Sequence, residues 1–444
     1  MSEALYERLQ RLKRHGQSRT QSDDGGHERS SEPDETQANP AVSECRRSLE
    51  RIGFTERADG TLVRSVERDV GLVADRISRM RTEGSVLLPD RAAEPVFFDV
   101  ESTGLGAGAG NVAFLVGAAM LVDTTRVRIE QVLLPDYPNE PQFLKRTARL
   151  LRDDCLLVSY NGKGFDTNLL RSRFLMNGIR WHEPEQLDLL YPVRRLWGRV
   201  FPDCRLSTVE HNLLGVERGS DVAGAEVPGR YFAFLETGAG EVLREVVAHH
   251  EQDMLSLVVL LDTIESTLSK AKTLSDRPLA ALGDRGRASA EFTRARVGRR
   301  GEGSSASSSR AVERPDTPCG SCAADPVGVA RELLRTSGID SAVEWLRYVC
   351  DRKRPTGSVR RAMVLLAGLL KRNAQFEEAS RLWSKLFHEG QSVLAGIELA
   401  KHLEHRCKNI PAALAVCEKL LYHHGTAREN IEHRYERLRR KASR

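Results

Sequence analysis

The sequence predicts an α/β domain, a mixed sheet flanked by helices, joined to an all-α domain of helical repeats. Two observations predict it. Three apolar strand patterns follow one another between residues 96 and 134, and alternating helix and strand patterns come after them. Beyond a Ser- and Arg-rich stretch the pattern is helical and repeats itself. Ala379 and Ala413 stand 34 residues apart, as do Leu386 and Leu420.

Taken in order, residues 1–42 read as a short helix and a disordered segment. Leu5, Leu9 and Leu12 have helical spacing within 3–15, and 16–42 hold almost no large apolar residue. Residues 43–89 form a connecting region, in which Thr61–Arg68 alternates like a strand. The α/β domain spans 90–268. Its strands are expected at Val96–Glu101, Asn111–Val122, Arg126–Leu134 and Cys155–Tyr160. Its helices are expected at Pro141–Leu151, Asp166–Asn177, Arg205–Leu214 and Val242–Leu268.

Residues 269–325 are a basic, Ser-rich linker with Pro315 and Pro318 near its end. Residues 326–444 are the repeats. Leu366–Phe387 resembles Leu399–Leu421, and a degenerate earlier unit covers 328–350 with Ala342 and Trp345. The 34-residue period is that of tetratricopeptide repeats, which serve protein partners; an ordinary helical bundle is the alternative.

A chain of 444 residues suits two or three domains. No run of eighteen apolar residues exists, so no membrane span is expected. Met1–Arg8 is charged and shows no secretory signal. Eight scattered cysteines suit reduced thiols in a cytoplasm. The net charge is only +5, but it is uneven. Arg285, Arg287, Arg294, Arg296, Arg299 and Arg300 cluster in the linker, and Arg434, Arg437, Arg439, Arg440, Lys441 and Arg444 close the chain. Such segments either attract phosphate backbones or simply solvate a linker and a helix end.

The chemistry lies in four acids. Asp99 and Glu101 end the apolar run Val96-Phe97-Phe98, so a strand presents both from one face. Two such carboxylates repel unless a cation sits between them, and hard divalent metals prefer oxygen ligands. Asp166, after the turn Asn161-Gly162-Lys163-Gly164-Phe165, and Asp253, on a helix, complete a set able to hold two metals. Asp166 is alternatively a helix N-cap. His249 lies four residues before Asp253, hence on the same helix face.

This ordered set resembles the DEDD exonucleases of the ribonuclease H-like superfamily, and more closely the bacterial YprB-like proteins. Further support comes from the run Gly104–Gly110 followed by Ala113–Gly117, from Leu187–Trp197, and from His249-His250-Glu251-Gln252-Asp253. The resemblance covers residues 90–265 and implies a ribonuclease H-like fold. It also implies a two-metal (Mg²⁺ or Mn²⁺) 3′–5′ hydrolysis of DNA or RNA. Asp99, Glu101, Asp166 and Asp253 would be the metal ligands, and a histidine would orient or deprotonate the attacking water. His249 matches the YprB-like pattern, while His250 stands where that pattern has Asn; His249 is the assigned residue and His250 the alternative.

Thr103, Gly104 and Leu105, heading the glycine-rich run, are candidate substrate contacts, as are Asn161, Arg194 and Arg195. Trp197 is either a base-stacking residue or core. Asp188 is either a supporting group or a helix cap. The pair Cys319 and Cys322 has no second Cys-x-x-Cys to complete a zinc site. The resulting expectation is a metal-dependent nuclease; the alternative is a non-catalytic nucleic-acid-binding module with a repeat scaffold.

Overall fold

The structure, a computed structural model, describes residues 40–89, 93–104, 110–218, 222–275, 323–352, 356–390, 392–422 and 428–443. The helix expected at 3–15, most of 16–42, Leu105, Cys319, Cys322 and most of the linker lie outside the described residues.

Seven strands form one sheet. They are β1 (Thr55–Glu56), β2 (Leu62–Asp69), β3 (Glu94–Ser102), β4 (Ala113–Leu121), β5 (Arg126–Leu133), β6 (Cys155–Ser159) and β7 (Glu185–Asp188). Their spatial order is β1-β2-β5-β4-β3-β6-β7. The first five positions pair antiparallel, and β3-β6-β7 pair in parallel. The sheet is therefore mixed, as three consecutive strands followed by helix–strand alternation require. Strand β7 escapes sequence reading because Glu-Gln-Leu-Asp carries no apolar run; parallel pairing with β6 makes it a strand.

The helices before the linker are α1 (Pro40–Glu50), α2 (Val73–Glu83), α3 (Glu140–Leu150), α4 (Asp166–Met176), α5 (Leu190–Trp197), the short α6 (Leu206–Val209), α7 (Val227–Thr237) and α8 (Arg244–Ser275). Period two along β3 divides the core. Phe97 faces the layer that contains α8, whereas Val96, Phe98 and Val100 face the layer of Phe143, Phe174 and Tyr231 from α3, α4 and α7. Helix α8 runs past its expected end at Leu268. Its buried acids are each answered: Asp262 by both donors of Arg76, Glu265 by the Val86 and Leu87 amides, and Glu251 by Arg64 and Arg68.

The helix expected at Arg205–Leu214 is only partly regular. After α6 the chain widens into a π turn at Glu210–Leu214 and closes on left-handed Gly215. The turn places Glu210 fully inside the protein, and long-range partners described below hold it there.

The C-terminal part is all helical: α9 (Pro326–Thr336), α10 (Gly338–Arg352), α11 (Gly357–Arg372), α12 (Phe376–His388), α13 (Val393–His405), α14 (Ile410–Tyr422) and α15 (Arg428–Ala442). The repeat-spaced Ala379 and Ala413 are both fully buried, on α12 and α14. Three basic groups of α15, Arg434, Arg437 and Lys441, converge on buried Glu404 at 2.6, 2.5 and 2.9 Å. The basic chain end is thus partly turned inward rather than left for phosphates.

Residues Cys45–Arg444 form one compact unit. Helix α9 packs back on α5: the Asp325 amide donates to the Leu196 carbonyl at 2.7 Å, and Val327, Val329 and Leu333 join the cluster that holds Leu196 and Trp197. A Cβ at Gly328 would overlap the Arg195 carbonyl oxygen, so only glycine allows this approach. Among the described residues no helix is long and apolar enough to cross a membrane.

Candidate active site

Strand β3 delivers Asp99 and Glu101 from one face. Asp99 pairs with Gly117 of β4, and the register slips between Glu101 and Ser102, a bulge that ends regular pairing beside the acids. Past it, the Thr103 amide donates to the Val112 carbonyl and its Oγ1 accepts from the Val112 amide, both at 3.0 Å. The Gly104 carbonyl accepts from Ser102 Oγ and Asn111 Nδ2. A Cβ at Gly104 would stand 2.6 Å from Asn111 Oδ1.

The turn from β6 to α4 brings in Asp166. Its left-handed residue is Asn161 (φ 65°), a side chain that tolerates this region. Gly162 answers to space, since a Cβ would lie 2.6 Å from Ser159 Oγ. Asp188 fastens the turn: its carboxylate accepts from the Asn161 amide at 2.7 Å, the Lys163 amide at 3.2 Å and the Leu190 amide at 3.1 Å. It therefore supports the loop and holds the first amide of α5, whose N-cap position belongs to Leu189. Asp166 is the first helical residue of α4; the N-cap position belongs to Phe165, and no side chain caps it.

Helix α8 crosses over β3 and β4 and supplies both histidines and Asp253. His250 is fully buried against Gly117, whose missing side chain makes room for the ring. Its Nε2 donates to the Asp99 carbonyl at 3.0 Å, and its Nδ1 accepts from Gln131 at 3.0 Å. Both ring nitrogens are spent. Burial lowers its pKa to about 4, so the ring is neutral and anchors the helix to the sheet. His249 faces the other way, with Nε2 3.5 Å from Asp253 Oδ2 and about 15% of its side chain exposed.

The four acids feel one another. Burial pushes the Asp99 and Asp253 carboxyls up to about 6, opposed by His249 and Arg218. Burial, then repulsion from the other three acids, raises Glu101 well above its usual range. Asp166 rises through burial and through Asp99, Asp188 and Asp253. Four repelling carboxylates from three elements are the donor chemistry of a hard divalent cation, and in that sense the site fits one. They are not drawn together as a cluster: among the described residues no three His, Cys, Asp or Glu side chains form a group able to hold a metal ion.

Arg218 occupies part of that role. It grips fully buried Glu210 with two bonds of 2.6 and 2.8 Å, ion-pairs with Asp253, and donates to His249 Nδ1 at 2.9 Å. Glu210 also accepts from Ser256 Oγ. A fixed guanidinium thus neutralises one of the four acids and uses a lone pair of the candidate base. Sequence reading missed Arg218 and Glu210. Arg218 lies just past the π turn and Gly215, and only the fold brings it to α8.

The structure sorts the other candidates. Arg194 is exposed on α5 near Tyr160, whose phenol donates to the Cys204 carbonyl. Arg195 is committed to buried Glu332 of α9. That carboxylate needs a cation, so Arg195 leaves the substrate set. Trp197 is 1% exposed and stacks on Phe201, so it is core and offers no face to a base. Leu105 lies outside the described residues.

A family model described as the RNase H superfamily matches residues 96–265. The Bacillus subtilis (strain 168) protein YprB is 31% identical over 332 residues, which cover 73% of this chain and 68% of YprB. Among solved structures, E. coli exonuclease I in a zinc-bound complex with single-stranded DNA is 15% identical, with a TM-score of 0.26, over 40% of this chain and 43% of its own. A product-bound exonuclease I structure is 14% identical, also with a TM-score of 0.26, over 41% and 47%. The chain thus spans less than half the length of these solved relatives.

Proposed function

The chain belongs to the RNase H superfamily, in the family of YprB, and from that premise we propose that its four acids form the centre of a metal-dependent nuclease. The substrate is DNA or RNA, and the reaction is hydrolysis of a phosphodiester. The 3′–5′ polarity follows the resemblance to DEDD exonucleases. One observation carries the reading: burial raises the carboxyls of Asp99, Glu101, Asp166 and Asp253, and repulsion from neighbouring acids of this set adds to it at Glu101, Asp166 and Asp253. A fold keeps such an arrangement at a cost in stability, which a divalent cation offsets.

Asp99, Glu101, Asp166 and Asp253 would hold Mg²⁺ or Mn²⁺, which when bound supplies a Lewis acid for the phosphoryl oxygens and lowers the pKa of water. His249 faces the acids and takes the proton of the attacking water once Arg218 releases Nδ1. Asp188 keeps the Asn161–Asp166 turn in place. Free thiols suit action in the cytoplasm, and the six described cysteines are all free.

A second reading, a nucleic-acid binder without catalysis, is favoured by the Arg218–Asp253 pair alone, because a resident cation can stabilise the acids without metal. Cleavage of labelled single- and double-stranded DNA and RNA with Mn²⁺ separates the two. Asp99→Asn abolishes cleavage under the first reading, and His249→Ala lowers it by roughly 10²–10⁴-fold. Equal cleavage by wild type and Asp99→Asn, or none by either, removes the catalytic reading.

A further inference from the structure

A cleft of about 550 Å³ opens between the sheet domain and the C-terminal helices, and five arginines line it: Arg199, Arg331, Arg360, Arg361 and Arg372. Arg361 reaches Asp325 at 3.5 Å. The other four are exposed and have no acid partner among the described residues. Like charges gathered around one cleft repel, so the arrangement calls for an anion.

The floor is aliphatic, with Leu365, Leu369 and Leu386. On α11, positions 360, 364, 368 and 372 recur every four residues and form one stripe. The stripe runs arginine, Val364 at 48% exposed, glycine, arginine, over roughly 18 Å at 1.5 Å per residue. Gly368 sits in mid-helix, where glycine weakens the helix relative to alanine, and a Cβ there would meet nothing within 4 Å. No packing within the fold requires glycine at that position. It leaves a shallow trough between two arginines, able to admit a backbone.

Helix α5 links the cleft to the candidate site. Helix α5 starts at the carboxylate of Asp188, which fastens the Asn161–Asp166 turn, and ends just before Arg199. Its eight residues span roughly 12 Å. Tyr191, 45% exposed, and Arg194, also exposed, stand three residues apart on its outer face. Arg194 has no acid partner among the described residues.

Building on the nuclease reading, we propose that Tyr191, Arg194 and the cleft arginines Arg199, Arg331, Arg360 and Arg372 form one track that holds single-stranded nucleic acid on its way to the carboxylates. Guanidinium groups take phosphates two bonds at a time, and Tyr191 offers a face for a base. An acidic peptide would also satisfy the cleft arginines, but it would leave the run of Arg194 and Tyr191 toward the catalytic turn without purpose. The C-terminal helices then serve the substrate rather than a protein.

The test is fluorescence anisotropy of the full chain in EDTA, without turnover, using labelled dT20, rU20, a 20-base-pair duplex and a ten-glutamate peptide. Wild type should bind a single-stranded probe more tightly than the duplex. Arg360→Ala/Arg372→Ala should weaken single-strand binding at least ~10-fold and flatten its log–log salt slope by about 1.4, at ~0.7 per phosphate contact. Gly368→Leu should fill the trough and weaken binding while melting stays the same or rises, since leucine favours the helix. Wild-type affinity in both variants overturns the track, as does a loss confined to the glutamate peptide, which would make the cleft a protein dock. If the variants lose single-strand binding while no metal supports cleavage by wild type, the track stands and the catalytic reading falls.

Discussion

At the scale of single residues, Arg218 decides how the site behaves before any metal arrives. It pairs with Asp253 and borrows Nδ1 of His249, while Glu210 keeps it anchored. Removing the competitor should tighten metal binding. The variant Arg218→Met/Glu210→Gln, which neutralises Glu210 and leaves Asp253 without its arginine and open to a metal, should bind Mn²⁺ at least ~10-fold more tightly by calorimetry, about 1.4 kcal/mol; unchanged or weaker binding would show that Arg218 does not compete. The acids also set the pH response of the metal-free chain. Asp99 and Asp253 are held at about 6 against 3.8 when unfolded, so the folded chain keeps protons that the unfolded chain has lost. Their contribution is present below 3.8 and is lost as pH rises through about 6, with Glu101 and Asp166 extending the loss upward. His250 acts oppositely, since its pKa falls from 6.5 to about 4 and stability from it rises over that window. Four acids outweigh one ring. The metal-free chain should melt lower at about pH 8 than at about pH 6, and Mg²⁺ should restore a few degrees at the higher pH, where ~1 kcal/mol moves a domain of this size by roughly 2–4 °C. Identical melting at both values, with no effect of Mg²⁺, would contradict the assignment.

At the scale of elements, what the sequence revealed depended on whether local pattern or distant contact set the structure. The edges of β3, β4, β5 and β6 lie within about two residues of the expected ones, because buried strands advertise themselves as apolar runs. Strand β7 carries no such run and was invisible. The stretch Arg205–Leu214 has helical spacing, yet Glu210, held by Arg218 and Ser256, opens it into a π turn. The adjacent histidines could not be told apart either. Their directions differ by one helical step, and the one that enters the sheet is chosen by Gly117 on a distant strand. That choice can be tested. Gly117→Val drives a side chain into His250 and Met254, and overpacking of this kind costs about 1–3 kcal/mol. The denaturant midpoint should fall accordingly, and an unchanged midpoint would mean that α8 does not need this close approach.

At the scale of the whole molecule, the linker composition suggested a division, and the structure adds a contact that composition does not encode. Trp197, Leu196, Val327 and Leu333 share one apolar cluster across it, Arg195 meets Glu332, and Gly328 lets the backbones touch. A protease site inserted between residues 276 and 322 should therefore be cut without separating the halves on gel filtration, whereas Gly328→Val should let them part. Separation of the cut wild-type chain at micromolar concentration would mean that the contact is too weak to matter. The family and the order of the four acids were legible early because a strand, a turn and a helix each announce themselves locally; Arg218 was not, because a lone loop arginine gives no local sign of its partners. The most direct test of the central claim is Mn²⁺ titration followed by electron paramagnetic resonance on the full chain. The four-carboxylate site should take up about two ions per chain, and Asp99→Asn should lose that uptake with its melting curve intact. Saturable uptake that survives Asp99→Asn, or no uptake by the wild type, would contradict it.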